Sequence, residues 1–475
     1  MNKKSLSRRD FLRLTTLTTA GVALAACAPQ AAPTQAPAPT SAQAQPAATE
    51  AQAPAPTTAP PAAAAGKMVF WPEWGGKDAD ALQAAVNKFT SDTGTAVDFL
   101  PIRDHARMVA AISAGTPPDL LMTWDAGAVG SWGFEGALID LKPMIEAAKF
   151  DTSTLHPLGL SSGNLMGVKQ IGLPLTNYIT TVLWWNKANF KAAGLDPEAP
   201  PQTWEQVWEF NDKLTVLNGT QIEKLGYLVL TAQDGHPTVM SYAFGGSIWS
   251  DDYKKVTPDS DASIASLKWL RQFYAKYTTD EIRRWTGSNN ADETSPTHPI
   301  FNGTGAMYVN GEWVPSYVDA LKDLKIDLGG TYLPHPADKP EVKNVMGANT
   351  NPLVIPTAAT NQDAAFKLIL HLLKPDISSE MCVIVGNASP TKEGVKLQAA
   401  KTQNALYKWV LEEAWVNGTI KPLTINSPIG AEYQDGYTAA RAQVVEDGED
   451  AVTVMTKLKA DIQPKLDDAL KKLNL

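Results

Sequence analysis

The sequence predicts an α/β protein with parallel sheets that carry helices on both faces. From Lys67 onward, short apolar segments alternate with amphipathic segments, and this pattern indicates strands and helices in turn. The chain has 475 residues, enough to bury the cores of two domains. Its two cysteines, Cys27 and Cys382, are predicted to be a lipid attachment site and a buried thiol. Stability must therefore come from buried apolar surface.

Residues 1–27 predict a signal peptide for a lipoprotein exported by the twin-arginine route. Arg8 and Arg9 precede the uncharged apolar run 14–26, and Leu24–Cys27 resembles a lipobox, in which the cysteine becomes lipidated after cleavage. The run has 13 residues, whereas roughly 20 are needed to span a membrane. We expect a protein that folds before export and is anchored by lipid to the outer face of the cytoplasmic membrane.

Residues 28–66 predict a disordered tether. They are almost entirely Ala, Pro, Thr and Gln, with Glu50 as the one charged residue, so they cannot bury enough apolar surface to fold. The full chain has a formal charge of −9. Without the five basic residues and one acidic residue of the signal peptide, 36 basic and 49 acidic side chains remain, a charge near −13. This charge disfavours nucleic acid and anionic lipid as partners.

The first ordered elements predict a ligand site at one rim of a sheet. The predicted strands are 68–71, 95–101 and 119–122, and the predicted helices between them are 78–93 and 107–114. Ligands of such sheets bind beyond the carboxyl ends of the strands. The side chains that follow the strand ends, and that we expect at the rim, are Trp71, Glu73, Trp74, Trp124 and Asp125.

Further elements follow in the same alternating order. Thr203 and Gln206 match a capping box that opens a helix. The predicted strands are 179–185, 226–230 and 306–309, and the predicted helices are 203–217, 262–277, 362–373, 437–447 and 450–472. We find no internal repeat.

The sequence does not support a catalytic or metal centre. Gly159–Gly163 matches G-x-S-x-G, but its flanking residues predict a loop and not the strand and helix that a nucleophile elbow requires. Phosphate-binding loops, dinucleotide-binding loops and paired histidines at metal-ligand spacing are not found in the sequence. We expect no catalytic residue, no metal and no cofactor.

The tryptophans give the positive evidence for a ligand-binding function. All 14 tryptophans follow residue 66, and several are predicted at strand ends or in loops: Trp71, Trp74, Trp124, Trp249, Trp285 and Trp313. Indole faces stack on the C–H faces of sugars, although core packing is the alternative role for each. The nearby carboxylates Glu73, Asp125, Glu312 and Glu432 can accept hydrogen bonds from hydroxyl groups, or act as the acid and base of a glycosidase.

Six segments in order resemble the extracellular solute-binding proteins of ABC importers, in the branch that contains maltose-binding protein. The similarity covers nearly all of residues 67–475. Its segments are Ser113–Leu121 with PPDLL, Gly136–Leu141, Gly172–Pro174 with Leu183–Lys187, Ala193–Leu195 with Pro201–Trp204, Phe301–Met307 with Gly311–Trp313, and Ala388–Lys392.

The resemblance implies two α/β lobes that close on a ligand by a hinge motion. Lobe 1 is expected to comprise 67–176 and 336–388, and lobe 2 to comprise 177–335 and 389–475, with crossings near 175–180, 332–336 and 387–391. Matching positions add four residues to the expected ligand site, which are Asn177, Tyr178, Asn349 and Tyr433. Asn349 follows Gly347–Ala348, where relatives often have Gly-Gly-Trp, so one aromatic contact is expected to be missing.

The function that this implies is a monomeric, non-enzymatic receptor that captures a carbohydrate and delivers it to an ABC permease. Three alternatives stay open at this stage. The same fold can bind a polyamine, metal complex, oxyanion or peptide. The protein can be a surface glycosidase or lyase, or an adhesin that does not close on a small ligand.

Overall fold

Two β-sheets organise residues 67–321 and 323–475, which the computed structural model describes. The signal peptide and tether predicted at 1–27 and 28–66 lie outside these residues. The strands are β1 Met68–Pro72, β2 Val97–Phe99, β3 Leu120–Met122, β4 Asn164–Leu165, β5 Lys169–Gln170, β6 Gly172–Ile179, β7 Val182–Asn186, β8 Val216–Asn218, β9 Gln221–Tyr227, β10 Gly305–Asn310, β11 Leu328–Thr331, β12 Val345–Val354 and β13 Thr419–Pro422.

Helices connect and cover these strands. They are α1 Gly76–Thr93, α2 His105–Ser113, α3 Ala126–Phe134, α4 Lys142–Ala147, α5 Pro157–Ser162, α6 Lys187–Ala192, α7 Trp204–Leu214, α8 Pro237–Ala243, α9 Asp261–Tyr277, α10 Thr279–Ser288, α11 Pro299–Asn302, α12 Val314–Ala320, α13 Gln362–Leu372, α14 Pro375–Val385, α15 Lys392–Lys401, α16 Ala405–Trp409, α17 Trp415–Asn417, α18 Gly430–Ala442 and α19 Ala451–Leu473. In the part of the chain that the structure describes, no helix has the length and apolar character that crossing a bilayer demands.

The first sheet has the order β13-β12-β3-β1-β2, and β6 also pairs with β12. We call this sheet and the helices packed on it the first lobe. Strand β1 separates two cores, because its alternate side chains face opposite ways. Met68 and Phe70 pack with Leu82 and Phe89 of α1, whereas Val69 and Trp71 pack on the other face with Met108 of α2 and other apolar residues.

The second sheet has the order β11-β7-β10-β9-β8, and with its helices forms the second lobe. Its core is rich in aromatic side chains. Trp204 of α7 stacks on Phe244 with centroids 5.8 Å apart, and Trp269 and Phe273 of α9 continue the cluster. A capping box at Thr203 and Gln206 opens α7, as the sequence predicts.

Strands β1, β2 and β3 pair in parallel, as the sequence predicts, but both sheets also contain antiparallel pairs. Strand β12 runs antiparallel to β3 and β6, and β7 runs antiparallel to β10 and β11. The predicted strand 179–185 is likewise two strands in different sheets. It is interrupted at Thr180, whose backbone N–H donates to the Gly347 carbonyl at 3.0 Å where the chain leaves the first sheet. The exact lobe boundaries stay a prediction.

Smaller differences concern the limits of single elements. The predicted strand 226–230 begins earlier, at Gln221, and ends at Tyr227. Helix α7 ends at Leu214 and not at residue 217, because the chain turns directly into the hairpin of β8 and β9. The helix predicted at 437–447 begins at Gly430 and widens into a π-helical turn over Gln443–Asp447.

Candidate functional site

The carboxyl ends of β1 and β3 lie side by side, because these strands pair in parallel with Phe70 opposite Leu120. The residues that follow them therefore meet at one edge of the first sheet. The Glu73 side chain is fully buried there. Its Oε2 accepts hydrogen bonds from the Thr123 hydroxyl at 2.5 Å and from the Trp124 backbone N–H at 3.2 Å. Trp124 itself is 44% exposed, which leaves its indole face open to the surroundings.

His105 joins the two predicted carboxylates at this edge. Its Nδ1 lies 3.3 Å from Glu73 Oε1, and its Nε2 lies 3.5 Å from Asp125 Oδ2. The imidazole also stacks on Trp132 of α3, with ring centroids 6.0 Å apart and an interplanar angle of 16°. Asp125 caps α3 by accepting a hydrogen bond from the Ala128 N–H at 3.0 Å. The edge is thus a fixed arrangement of two carboxylates around one imidazole.

Aromatic side chains from β6 and from the residues after β10 face this edge. Tyr178 and Trp313 form an edge-to-face pair with centroids 6.0 Å apart. Burial, followed by the charge of Asp125, raises the pKa of the Tyr178 phenol above its usual range. Gly311 lies directly under the Trp313 ring, since a Cβ at this position would approach ring carbon Cζ3 to 2.2 Å. The chain needs glycine at 311 to let the indole lie flat.

A second point of approach between the lobes involves α1 and α12. Burial, then Glu293, then Asp78 raise the pKa of the Tyr317 phenol. Asp78 belongs to the first turn of α1, and Tyr317 belongs to α12 of the second lobe. Glu293 Oε2 accepts a hydrogen bond from the Asn310 side-chain amide at 2.6 Å. Acidic groups of both lobes therefore lie near one another, and we call the space between these walls the cleft.

Several buried polar atoms in the cleft walls have no hydrogen-bond partner in the protein. They include Glu73 Oε1, Asp78 Oδ1 and Trp313 Nε1. A buried polar group without a partner costs on the order of 1–3 kcal/mol, so such groups are rare unless something else satisfies them. Glu73 Oε1 lies 3.3 Å from His105 Nδ1 and Asp78 Oδ1 lies 3.6 Å from Lys77 Nζ, in both cases without a hydrogen bond. The indole N–H of Trp313 is the donor left open, next to Tyr178. This donor suits a ligand that accepts hydrogen bonds.

A cavity of about 530 Å³ adjoins the cleft at Asp125. The predicted residues Trp249 and Tyr433 line it from the second lobe. Their rings meet edge to face at 4.9 Å, and the Tyr433 hydroxyl donates to the Ile248 carbonyl at 2.8 Å. Asn349 lies on β12 opposite Tyr178, and its side-chain amide donates to the Thr424 hydroxyl of the cavity wall at 2.9 Å. Trp249 and Tyr433 thus line the cavity from the second lobe, and Asn349 on β12 contacts its wall.

Glu312 lies behind the cleft, in a structural position. It is fully buried, and both carboxylate oxygens are occupied. Oε2 accepts from the Ile179 N–H at 3.0 Å and from Trp415 Nε1 at 2.9 Å, and Oε1 accepts from the Ala388 N–H at 2.9 Å. Ile179 and Ala388 belong to two of the predicted crossings between the lobes. The carboxylate therefore ties the crossing segments together, with no acceptor capacity aimed at the cleft.

Four other predicted site residues do not reach the cleft with their side chains. Trp71 faces the core between β1 and α2, and Trp74 packs in the other core of the first lobe. Trp285 lies in α10 and is buried, with its indole donating to the Glu223 carbonyl at 3.4 Å. Asn177 precedes Tyr178 on β6, and consecutive strand residues face opposite sides, so Asn177 faces away from Trp313.

Sequence reasoning missed His105, Asp78, Glu293 and Tyr317. His105 follows β2 as Glu73 follows β1, so the rule of strand ends applies to it too. The other three belong to helices or loops whose approach across the cleft leaves no pattern in the sequence.

The described residues offer little support for metal binding or nucleophilic catalysis. In the described ranges 67–321 and 323–475, no group of three or more His, Cys, Asp or Glu side chains is arranged to hold a metal ion. Ser161 of the G-x-S-x-G match lies within α5 and donates its hydroxyl to the Leu158 carbonyl at 2.8 Å. Cys382 is buried, as predicted, and burial raises its pKa.

Comparison with known sequences gives consistent relatives. A family described as bacterial extracellular solute-binding protein matches residues 84–408. The chain is 30% identical over 336 residues to the sn-glycerol-3-phosphate-binding periplasmic protein UgpB of Pectobacterium atrosepticum, covering 67% of this chain and 72% of that protein. It is 23% identical to a probable amino-acid ABC transporter periplasmic-binding protein of Sinorhizobium fredii, covering 65% and 69%.

Solved structures resemble the chain over most of its length. CpMnBP1 with mannotriose bound has a TM-score of 0.72 at 23% identity, covering 83% of this chain and 98% of that one. The cyclic alpha-maltosyl-1,6-maltose binding protein of Arthrobacter globiformis has a TM-score of 0.67 at 18% identity, covering 85% and 99%. At this identity the likeness establishes the two-lobed fold.

Proposed function

Because the chain belongs to the family of bacterial extracellular solute-binding proteins, we propose that it captures a carbohydrate in its cleft and delivers it to an ABC permease. The observation that carries the choice of ligand is the unpaired indole N–H of Trp313 in its aromatic pair with Tyr178, near the Asp125 carboxylate at the edge of the first sheet. Sugar hydroxyls both donate and accept, and pyranose C–H faces stack on indoles. Similar folds with mannotriose and with a cyclic maltose derivative as ligands support the proposal.

Charge favours a neutral sugar over the phosphorylated ligand that UgpB is named for. The described cleft walls carry two pairs of carboxylates: Glu73 and Asp125 lie on either side of the His105 imidazole, and Asp78 and Glu293 both lie near Tyr317. A phosphate that bound at either pair would face negative charge, and like charges at short range repel. A neutral ligand avoids this cost.

The same carboxylates favour a second candidate, a polyamine. A primary or secondary ammonium group would pair with an accessible carboxylate such as Asp125 and rest on the Trp313 face. The two candidates differ in charge, so direct binding measurements separate them.

The testing experiment is a thermal-shift series on the purified protein with mannobiose, mannotriose, maltose, sn-glycerol 3-phosphate and spermidine. Ligands that bind the native state raise the melting temperature by mass action. We expect a shift with an oligosaccharide that is smaller in Trp313→Ala, and the sugar should be recovered intact. A shift with spermidine alone would replace the sugar by a polyamine. A shift with glycerol phosphate alone, or consumption of the sugar, would contradict the proposal.

The mechanism we propose is capture by closure. In the open form the ligand meets the first wall at the exposed side chains of Trp124 and Asp125, and closure adds Trp313 and Tyr317 of the second lobe. A ligand shifts the equilibrium toward the closed form by as much as it binds that form better. The chain then acts as a monomer, without turnover, and presents both lobes to the permease.

We also propose that the protein is held at the membrane through lipid on Cys27 alone. The lipobox resemblance of Leu24–Cys27 supports this. Cys27→Ser should release the protein from membranes into the soluble fraction while its ligand affinity stays the same. Retention of the serine variant in washed membranes would argue for another form of attachment.

A further inference from the structure

A second cavity, of about 490 Å³, lies on the other side of β6 from the cleft. Asn177 lines it, whereas its neighbour Tyr178 contacts Trp313 on the cleft side. Half of the lining residues are apolar: Pro157, Val395, Ala399, Leu411, Trp415 and Val416. The cavity lies within the roughly 300–1,000 Å³ typical of small-molecule sites.

The Asn177 side chain is the buried amide of this cavity, and it lacks hydrogen-bond partners in the protein. Its residue is 1% exposed, and neither Nδ2 nor Oδ1 has a hydrogen-bond partner in the protein. The backbone is satisfied, because the Asn177 N–H donates to the Ala388 carbonyl at 2.9 Å. A buried amide that lacks both partners is costly and is normally paired. Its donor and acceptor point to a ligand that supplies the complementary pair.

We propose that this cavity binds a small molecule that has a flat apolar body and one carboxamide group. A carboxamide offers an acceptor and a donor side by side, so it can pair reciprocally with Asn177 Nδ2 and Oδ1. The apolar body rests among the aliphatic side chains and beside Trp415, on whose ring the imidazole of His156 packs at 4.9 Å. Val416 is 68% exposed at the mouth, which provides access from solvent.

Charges at the cavity leave room for a neutral ligand. Lys392 Nζ donates to the Ser153 carbonyl at 3.0 Å, and Lys396 pairs with Glu393 at 3.4 Å. Both lysines are therefore engaged by other groups, and Glu412, which also lines the cavity, lies 3.6 Å from Lys408 Nζ. The site is independent of the cleft ligand, so the proposal stands whether the cleft binds a sugar or a polyamine.

The test is isothermal titration calorimetry of the purified protein with benzamide. We expect saturable one-to-one binding that Asn177→Leu weakens about tenfold or more, since the variant keeps the volume and removes both hydrogen bonds. Val416→Glu places a charge at the mouth and should weaken binding without disturbing the fold, because the side chain is exposed. Val452→Glu, at an exposed position on α19, and Tyr178→Phe, on the cleft side, are the matched controls and should bind benzamide as the wild type does.

Three results would overturn the proposal: no saturable binding to the wild type, unchanged binding in both Asn177→Leu and Val416→Glu, or loss of binding in Tyr178→Phe. If Asn177→Leu does not fold, the benzamide affinities of Val416→Glu and Val452→Glu are compared instead, and equal affinities would overturn the proposal.

Discussion

Glu73 and Glu312 are both fully buried carboxylates, yet the structure uses them in opposite ways. Glu73 lies at the edge of the first sheet with one oxygen engaged by Thr123 and Trp124 and the other without a hydrogen bond. Glu312 lies between the crossing segments, where three N–H groups donate to its two oxygens. The second oxygen of Glu73 faces the His105 imidazole at 3.3 Å and so belongs to the edge where we propose that the ligand binds, whereas the fully hydrogen-bonded Glu312 links two segments of the chain. Burial alone does not distinguish the two roles.

The largest expected effect is the loss of stability when the Glu312 carboxylate, which links the crossing segments, is removed. Glu312→Ala leaves the N–H groups of Ile179, Ala388 and Trp415 buried without an acceptor. At about 1–3 kcal/mol for each unsatisfied group, the free energy of unfolding should fall by about 3 kcal/mol or more. Chemical denaturation followed by tryptophan fluorescence measures it. A loss below about 1 kcal/mol would mean that water replaces the carboxylate and that the tie is weak.

The aromatic face of the cleft should affect binding more than folding. Trp313→Ala removes the half-buried indole opposite Tyr178, and affinity for the cleft ligand should weaken by about 1–3 kcal/mol. The matched control is Trp285→Ala, which should cost about 3–5 kcal/mol of stability and leave the affinity of the folded fraction unchanged. Equal affinity in wild type and Trp313→Ala would show that Trp313 packs in the core and does not contact the ligand.

The buried carboxyl of Glu312 should also make the stability of the fold depend on pH. Burial, the largest influence, raises the pKa of Glu312 from 4.5 to about 8, although its three donors lower it. Between these values the folded state holds a proton that the unfolded state has released. The free energy of unfolding therefore falls as pH rises through this window, by at most about 1.4 kcal/mol per pH unit.

The control for this effect is Glu312→Gln, which cannot titrate. The difference in unfolding free energy between wild type and Glu312→Gln should decrease from pH 5 to pH 8. A constant difference across this range would show that Glu312 is ionised throughout.

The smallest effect is expected at Glu73. Glu73→Gln keeps an oxygen for Thr123 and Trp124 and presents an NH₂ group to His105 Nδ1. The variant loses the negative charge that holds the His105 imidazole between Glu73 and Asp125, so affinity for the cleft ligand should fall by about fivefold, roughly 1 kcal/mol. Titration calorimetry with the cleft ligand measures this, and the melting temperature without ligand should stay within about 2 °C of the wild type. A large loss of stability would place Glu73 in the same class as Glu312.

The sequence was informative where a rule links chain position to geometry. Glu73 and Asp125 follow strands that pair in parallel, so the rule of strand ends brings them to one edge. Cys382 in its apolar run is buried, and the capping box at Thr203 opens α7. In each case a local pattern determines the outcome.

The sequence did not predict which way a side chain points once its chain position is given. Asn177 and Glu312 lie at the expected chain positions, but the alternation of β6 and the path after β10 turn them away from the cleft. Trp285 was expected in a loop and lies in α10, where tertiary packing buries it. His105 is a single imidazole without a spacing pattern, and its role depends on two carboxylates that are 32 and 20 residues away in the chain.

The burial of Cys382 has a practical consequence for following lobe closure. Its thiol has 0% exposure and a raised pKa, so it should react slowly with maleimides, and no other cysteine occurs in residues 67–475. Cysteines introduced at the exposed positions Val168 of the first lobe and Val452 of α19 would then take up a donor and an acceptor dye while Cys382 stays unlabelled. Energy transfer between the dyes would follow the two lobes in real time as ligand is added.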